Sequence, residues 1–367
     1  MAKKYKENCL ERAERENTAY KIEQFNAMQK LPYEAKLSHA ACRVREFYNE
    51  IWSRYNANVH ISVGGLDSIT LLMFIRSLGY DEIPAISVSS LEDISIQRIY
   101  KELGVIRIPP SRDKYGKIYT KHRILQEFGF PVISKEKAAK IEHLQNPTPN
   151  NATIRHAIIT GETGEYGGWQ KNSGMKLPQK WLELFGGYEN ANEGTDYQIP
   201  PFLVSSQCCY WLKEKPADDW AKEHNSYPYL GLMACEGGRR EKALKMHGCN
   251  YYGKSTMRSA PFAIFNRQDI LQLALDLNVP VPEIYGTIER KPDGTLYTTK
   301  AQRTGCSMCG FGIHIESRPH RFDRLRETNP KAWEYWMKHV CIDSRGNEYG
   351  WGRVLDYIGV GWEDEVH

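Results

Sequence analysis

Two close pairs of cysteines are the first residues of this sequence whose spacing points to chemistry. Cys208 and Cys209 are adjacent, while Cys306 and Cys309 are separated by two residues. Four thiolates can hold either a tetrahedral zinc ion or a 4Fe-4S cluster. Two adjacent cysteines bind one small ion only with strain, whereas a cluster offers each thiolate its own iron. The spacing therefore favours an iron–sulfur cluster, and structural zinc or reduced thiols are the alternatives.

A glycine-rich loop with the sequence SVGGLDS, residues 62–68, is the second candidate site. Glycines let a backbone approach phosphate oxygens, and the amides at the start of a following helix point toward an anion. The Ser68 hydroxyl can donate to a phosphate, and Asp67 can hold Mg²⁺ or cap the helix. The loop predicts a phosphate site, with a tight turn and an N-capping aspartate as the alternative. Its phosphate-binding candidates are Ser62, Gly64, Gly65, Asp67 and Ser68.

The elements around this loop predict an α/β fold. Apolar and β-branched runs predict strands at 58–63, 83–88, 105–108 and 227–234, with helical patterns between them. Strands that alternate with helices indicate a Rossmann-like parallel twisted sheet flanked by helices. Such sheets bind ligands at the carboxyl ends of their strands, which is where the glycine loop falls.

The chain divides into three predicted segments. We expect a helical N-terminal segment at 1–55 and a nucleotide-binding α/β domain at 56–290. A C-terminal CxxC and helical region at 291–367, which bears the predicted cluster, is expected to pack on the same core. Residues 142–200 are rich in Asn, Gly, Thr and Tyr and have little periodicity, which predicts an insertion with one helix.

The composition bounds the class of protein. The chain has 367 residues, of which 26% are charged, and a net charge of +4, too small to indicate nucleic acid by itself. No run of about 18 apolar residues predicts a membrane span. The nine cysteines are an odd number, and the charged start of the chain has no apolar stretch of a secretion signal. We therefore expect a cytoplasmic location.

The glycine loop resembles the pyrophosphate-binding SGGxDS motif of ATP pyrophosphatases, in the adenine nucleotide α-hydrolase (PP-loop) superfamily. Val63 takes the place of the first serine of that motif, and Ser62 lies one position earlier. Other segments resemble phosphoadenosine phosphosulfate (PAPS) reductases and their relatives: Leu91-Glu92, GFPVISK at 129–135, CEGGRR at 235–240 and RTGCSMCGFGIHIE at 303–316. This similarity extends over nearly the whole chain. It implies that Glu92, Lys135, Arg239 and Arg240 also line the nucleotide site.

The cysteine pattern is similar to the CC…CxxC signature of assimilatory adenylyl-sulfate (APS) reductases, which carry a 4Fe-4S cluster. The resemblance implies that Cys208, Cys209, Cys306 and Cys309 are the cluster ligands. One family feature is absent from this sequence, because those reductases attack sulfonyl sulfur with a cysteine near the C-terminus. Only Cys235 and Cys341 could replace it, and Cys341 better fits a small buried hydrophobe.

Three functions follow from this resemblance. The first is ATP-dependent sulfur transfer, in which ATP adenylates an oxygen of a nucleic-acid or small-molecule acceptor and sulfur then replaces AMP. Its catalytic candidates are Asp67, Arg240 and Cys235. The second is APS or PAPS reduction to sulfite, which the missing cysteine disfavours. The third is a non-catalytic nucleotide-binding partner protein.

The same resemblance implies cofactors and partners. The expected cofactors are a 4Fe-4S cluster, ATP (or PAPS or APS) and Mg²⁺. A cysteine desulfurase is expected as sulfur donor, a nucleic acid as one acceptor and a second copy of the chain as partner in a homodimer; no membrane partner is expected. Basic residues after the CxxC could contact a nucleic acid or form a solvated helix face: His314, Arg318, His320, Arg321, Arg324 and Arg326.

Overall fold

The computed structural model describes residues 9–88, 92–163, 173–188 and 196–363, without the side chains of residues 9–16 and of Arg239. The chain forms two compact units. The first unit comprises Met1–Pro109 and Ala217–Cys306, and the second comprises Pro110–Pro216 and Ser307–His367. Leu91 and parts of the predicted insertion lie outside the described residues.

The described residues form strands and helices of mostly short length. The strands are β1 (Asn58–Ser62), β2 (Ala85–Ser87), β3 (Ile106–Arg107), β4 (Val132–Ile133), β5 (Ser226–Leu230), β6 (Asn250–Tyr252), β7 (Met257–Ser259), β8 (Ile288–Arg290), β9 (Leu296–Thr298), β10 (Gly310–Phe311), β11 (Cys341–Ile342) and β12 (Glu348–Tyr349). The α-helices are α1 (Cys9–Gln29), α2 (Tyr33–Tyr55), α3 (Leu66–Ser77), α4 (Ile94–Glu102), α5 (Lys121–Phe128), α6 (Lys135–Gln145), α7 (Ala152–Thr160), α8 (Gln179–Phe185), α9 (Gln207–Cys209), α10 (Lys215–Glu223), α11 (Gly238–His247), α12 (Arg267–Asp276), α13 (Arg321–Thr328), α14 (Pro330–Glu334) and α15 (Trp351–Ile358). Wider π-helical turns follow α9 and α14, at Tyr210–Glu214 and Tyr335–His339.

The central sheet of the first unit confirms the predicted α/β class. Its strand order is β3-β2-β1-β5-β7-β6, and all neighbours are parallel except the antiparallel pair β6 and β7. The chain runs outward from β1 through β2 to β3 and returns as β5 on the other side of β1. The order therefore reverses between β1 and β5. Among doubly wound sheets, that reversal point is where ligands bind.

Helices cover this sheet because their apolar faces are continuous with its core. Almost every apolar side chain of α3 is buried, as expected for a helix with apolar residues all round. Pro32 separates α1 from α2, and α2 buries Val44, Phe47 and Ile51 in the same core. The Phe47 ring meets the Tyr229 ring of β5 edge to face, with 5.2 Å between their centroids.

Two predicted features differ from the structure. The strand predicted at 227–234 ends at Leu230, because the chain turns there and the Leu232 amide donates back to the Leu230 carbonyl at 2.9 Å. A Cβ atom on Gly231 would be 3.0 Å from Ser68 Cα, which explains why a glycine occupies this point of close approach. The predicted insertion at 142–200 contains α7 as well as the expected helix α8.

The second unit has a hydrophobic core of its own. Phe130 and Phe322 pack edge to face on the fully buried Trp351, at centroid distances of 4.9 and 5.2 Å. Strands β4 and β10 pair in parallel within it. The segment after Ser307 shares a core with residues 110–216, which lie within the segment 56–290 that the sequence predicts as the nucleotide-binding domain. Among the described residues, no helix is both long and apolar enough to cross a membrane.

Candidate nucleotide-binding site

The glycine loop lies at the carboxyl end of β1, at the reversal point of the first unit's sheet. β1 ends at Ser62 and α3 begins at Leu66, so the two glycines connect a central strand directly to a helix start. The side chain of Val63 is buried in the hydrophobic core. The Tyr100 hydroxyl donates to the Gly64 carbonyl at 2.6 Å and ties α4 to the loop.

Ser68 closes the loop internally. Its hydroxyl oxygen accepts a hydrogen bond from the Gly64 amide at 2.7 Å, and the hydroxyl donates to the Gly65 carbonyl at 2.9 Å. The same Gly65 carbonyl accepts from the backbone amides of Ser68 and Ile69, both at 3.1 Å. These bonds give the loop a defined shape. The role of Ser68 as a phosphate donor stays a prediction.

Contact with Tyr285, which lies far from the loop in the sequence, explains why the second loop position is a glycine. The Leu66 amide, at the first turn of α3, donates to the Tyr285 hydroxyl oxygen at 3.1 Å. That hydroxyl is also 2.6 Å from Thr304 Oγ1. A Cβ atom on Gly65 would overlap the Tyr285 hydroxyl, so only glycine fits this contact. Burial raises the pKa of Tyr285, which therefore keeps its proton at neutral pH.

Asp67 pairs with an arginine that the sequence motifs do not identify. The Arg267 guanidinium at the start of α12 donates to the Asp67 carboxylate and, at 3.1 Å, to the Gln302 carbonyl. Burial raises the pKa of Asp67, and the Glu236 carboxylate adds to this, although Arg267 and Arg303 act in the opposite direction. Asp67 is therefore a carboxylate whose charge is costly without a cation nearby.

Glu236 contacts two further arginines on the same side of the sheet. Its carboxylate accepts from Arg240 at 2.9 Å and lies 3.7 Å from the Arg303 guanidinium. The Glu236 side chain is 9% exposed, whereas those of Arg240 and Arg303 are 57% and 62% exposed. With the Arg267 and Asp67 pair, three guanidiniums face two carboxylates around the loop. We call these three arginines the arginine cluster.

The remaining predicted nucleotide-site residues are placed as follows. Ser62 ends β1 in a half-buried position, and Glu92 is buried just before α4. The side chain of Arg239 lies outside the described residues. Cys235 is exposed beside Glu236, where desolvation of the thiol and the Glu236 carboxylate raise its pKa. A thiol with a raised pKa is a poor nucleophile at neutral pH.

Lys135 belongs to the second unit. It starts α6 and forms an ion pair with Glu214, with both side chains about half exposed. Two residues earlier, Ile133 has a φ of 66°, which is rare for a β-branched side chain. Met308 in the CxxC turn has a φ of 54°. Strained backbone of this kind is concentrated at functional sites in proteins, and here it lies at the end of β4 and just before β10, which pairs with β4.

The predicted cluster ligands are divided between the units. Cys306 closes the last segment of the first unit, and Cys309 lies in the second unit with Cys208 and Cys209. Cys208 is buried, and the others are half-buried. Across the described chain, no three side chains of His, Cys, Asp or Glu form a group that could hold a metal ion. The ligand role of the four cysteines stays a prediction.

Two cationic side chains contact the turn that carries Cys309. The buried Lys121 ammonium donates to the Ser307 carbonyl, and the Arg321 guanidinium donates to the Cys309 carbonyl at 3.1 Å. Arg321 also pairs with Glu316. These contacts fix the backbone of the turn within the second unit.

Much of the basic run after the CxxC makes contacts within the second unit. Arg318 pairs with Asp323 at 3.0 Å, and the buried His320 caps α13. The Arg326 guanidinium lies over the Trp333 ring, 5.0 Å from its centroid. These three residues therefore help to hold the second unit together, and contact of the basic run with a nucleic acid stays a prediction.

Comparisons with known proteins identify no family for this chain. No protein-family model matches it, and neither does any curated protein. Among solved structures, it is similar to the phosphate complex of phosphoadenylyl-sulfate (PAPS) reductase from Candida auris. That similarity has 10% sequence identity and a TM-score of 0.34, and it covers 75% of this chain and 95% of the reductase. Similarity this distant carries no argument about function.

Proposed function

We propose that this protein is a nucleotide-cleaving enzyme of the PP-loop type that uses ATP to adenylate an acceptor and then replaces AMP by sulfur. One observation carries the proposal: a glycine loop and the arginine cluster lie together at the reversal point of a parallel sheet. The resemblance of SVGGLDS to the SGGxDS motif supports the same nucleotide. Each of these groups lies within the first unit.

The phosphates of ATP would bind at the start of α3. Backbone amides and the positive end of a helix dipole favour an anion there. Arg240, Arg267 and Arg303 now share two carboxylates, so one guanidinium charge remains unbalanced. Phosphate oxygens would take over part of these ion pairs, because a guanidinium binds phosphate as well as carboxylate. Arg240 and Arg303 can reorient most easily, since they are the most exposed of the three.

The donor set also fits Mg²⁺ bound together with a nucleotide. Mg²⁺ is held in such sites by one or two carboxylates plus substrate phosphates. Asp67 and Glu236 are close enough to raise the pKa of Asp67 electrostatically, which is the arrangement that a divalent cation would relieve. When bound, the metal would neutralise charge on the phosphates. Asp67 and Glu236 are the residues that would hold it.

The proposed reaction has two displacement steps. An acceptor oxygen attacks the α-phosphorus, the bond to the β-phosphate oxygen breaks, and pyrophosphate leaves. Hydrosulfide sulfur then attacks the acceptor carbon, the carbon–oxygen bond breaks, and AMP leaves. The arginine cluster would stabilise negative charge that develops on the departing pyrophosphate. A cysteine desulfurase as sulfur source, a dithiol reductant that cleaves its persulfide to hydrosulfide and becomes a disulfide, and a nucleic-acid acceptor are part of this proposal.

Reduction of APS or PAPS is the less favoured alternative. It requires a thiolate that attacks sulfonyl sulfur. Burial raises the pKa of Cys341 to about 12, and the pKa of Cys235 is raised as well. Neither candidate is therefore activated as a thiolate.

The test compares ATP products and affinity in the full chain. With Mg²⁺, α-labelled ATP and a nucleic-acid acceptor, we expect AMP and pyrophosphate rather than ADP and phosphate. Asp67→Asn should lower AMP formation by about a hundredfold or more, because it removes the carboxylate charge. Arg303→Ala should weaken ATP binding about tenfold. Arg98→Ala is the matched control, because Arg98 is 59% exposed and pairs with the exposed Glu283.

The outcomes separate the candidate functions. ADP as the product would contradict cleavage at the α-phosphorus. ATP binding without any turnover would indicate a nucleotide-binding partner protein. Sulfite formation from APS or PAPS, lost in Cys235→Ser, would favour the reductase.

The iron–sulfur cluster is tested separately from this reaction, since no step depends on it. We would take the cluster as supported if protein purified without oxygen contains about four irons per chain and absorbs at about 400 nm. Stoichiometric zinc, or the absence of both metals, would contradict it.

A further inference from the structure

The opposite edge of the first unit's sheet carries a cavity that the proposed function does not use. The cavity has a volume of about 420 Å³ and lies where β1, β2, β3 and β5 begin. The glycine loop follows the other end of β1, which is five residues long. The cavity is therefore roughly 17 Å from the loop along the strand.

Aromatic side chains from two helices form the walls of this cavity. Tyr48 and Trp52 lie one turn apart on α2, and the Trp52 side chain is 65% exposed. Trp220 of α10 and His224 just after it are also one turn apart, and their rings stack with 4.0 Å between centroids and 14° between planes. The face of an indole or phenol ring carries negative charge density that attracts cations.

Among the described residues that line the cavity, Glu82 carries the one carboxylate. Glu82 lies just before β2, and the described residues that line the cavity include no lysine and no arginine. Burial and the nearby negative charge of Glu82 raise the pKa of Tyr48. His60, behind Trp220, adds no positive charge, because burial lowers its pKa to about 4.

The helices of the fold add to this negative field. α2, α3, α4 and α10 each end shortly before a strand of the sheet begins. In a parallel α/β arrangement these helix ends point toward the amino edge, and each carries a partial negative charge. Glu82, the ring faces and the helix ends therefore all favour the same sign of ligand.

We propose that this cavity is a second binding site that takes a small organic cation, a tertiary or quaternary ammonium group on an apolar body. The ammonium group would face Glu82, and the apolar part would lie against Trp52 and Trp220. The volume falls in the range of about 300 to 1,000 Å³ that small-molecule sites occupy. This site goes beyond the proposed ATP chemistry and does not depend on it.

The experiment titrates the full chain with three probes of similar size by calorimetry at low salt. Benzyltrimethylammonium is the cation, dimethylbenzylcarbinol is a neutral alcohol of similar shape, and phenylacetate is the anion. We expect the cation to bind about tenfold or more tightly than the alcohol, and phenylacetate not to bind. Equal binding of cation and alcohol, preference for phenylacetate, or absence of cation binding at millimolar concentration would overturn the proposal.

Variants locate the site. Glu82→Gln should remove the preference for the cation, and Trp52→Ala should weaken cation binding about tenfold. Both side chains are exposed, so both variants should fold, which circular dichroism checks. Tyr115→Ala, at an 82% exposed tyrosine of the second unit, is the matched control and should bind as the unmodified chain does. Unchanged cation binding in both Glu82→Gln and Trp52→Ala would contradict the assignment to this cavity.

Discussion

The two edges of the first unit's sheet carry opposite chemistry. At the carboxyl edge, the glycine loop and the start of α3 meet the arginine cluster, whose charges are partly balanced by Asp67 and Glu236. At the amino edge, aromatic rings and Glu82 surround a cavity without lysine or arginine among its described lining residues. Helix starts lie at one edge and helix ends at the other, so the backbone dipoles agree with the side chains. The comparison teaches that the two ends of the same parallel strands can carry side chains of opposite charge.

The largest expected loss of stability concerns a buried ion pair that holds α12 at the carboxyl edge. Lys36 of α2 pairs with Asp269 of α12 at 2.7 Å, and both side chains are buried. Asp269 also accepts from the Asn266 amide at 2.8 Å, which fixes the start of α12 next to Arg267. Lys36→Met should lower the free energy of unfolding by about 4 kcal/mol, because it leaves a buried carboxylate without its cation. Urea unfolding measures this loss.

The exposed pair between Arg98 and Glu283 is the control for that variant. Arg98→Met should cost at most about 1 kcal/mol, since solvent screens an exposed pair. Similar losses in the two variants would mean that the buried pair does not anchor α12.

A smaller effect is expected where the loop meets Tyr285. Gly65→Ala should lower the free energy of unfolding by about 2 kcal/mol and weaken ATP binding, because the added Cβ would overlap the Tyr285 hydroxyl. Tyr285→Phe removes that hydroxyl and should itself cost about 1 kcal/mol. The double variant should recover most of the loss that Gly65→Ala causes. If the two losses simply add, the overlap is not the reason for the glycine.

An effect of about the same size as that of Gly65→Ala distinguishes the amino edge by its pH dependence. His60 bonds to Ser226 Oγ at 2.8 Å, and burial lowers its pKa to about 4 from an ordinary value of 6.5. Between these values the unfolded chain binds a proton that the folded chain does not, so stability falls as the pH falls through this window. The loss from pH 7 to pH 5 should be about 2 kcal/mol for this group.

His60→Gln should reduce the loss of stability between pH 7 and pH 5. The part of that loss that comes from other titratable groups should remain. Unfolding curves of both proteins at pH 7 and pH 5 give the comparison. Equal losses in the two proteins would show that His60 is not the group responsible.

Local patterns were sufficient to predict the framework of the site. Strand, glycine loop and helix are contiguous, and their residues are close whatever the rest of the chain does. The α/β class and the phosphate-binding candidates of the loop could therefore be proposed from residues 58–79 and from the alternation that follows. The break at Pro32 follows from the missing amide of proline, which is equally local.

The sequence by itself determined the parallel sheet and the loop at its centre, because periodicity and turn residues act over a few positions. Tertiary structure alone decided which distant side chains complete the two edges. Tyr285 contacts the Leu66 amide although the two residues are 219 positions apart in the sequence, and Arg267 pairs with Asp67 at a separation of 200 positions. No sequence motif predicts either contact. It also decided that the segment after the CxxC shares the second unit's core, since burial of its apolar side chains depends on the elements they meet in space.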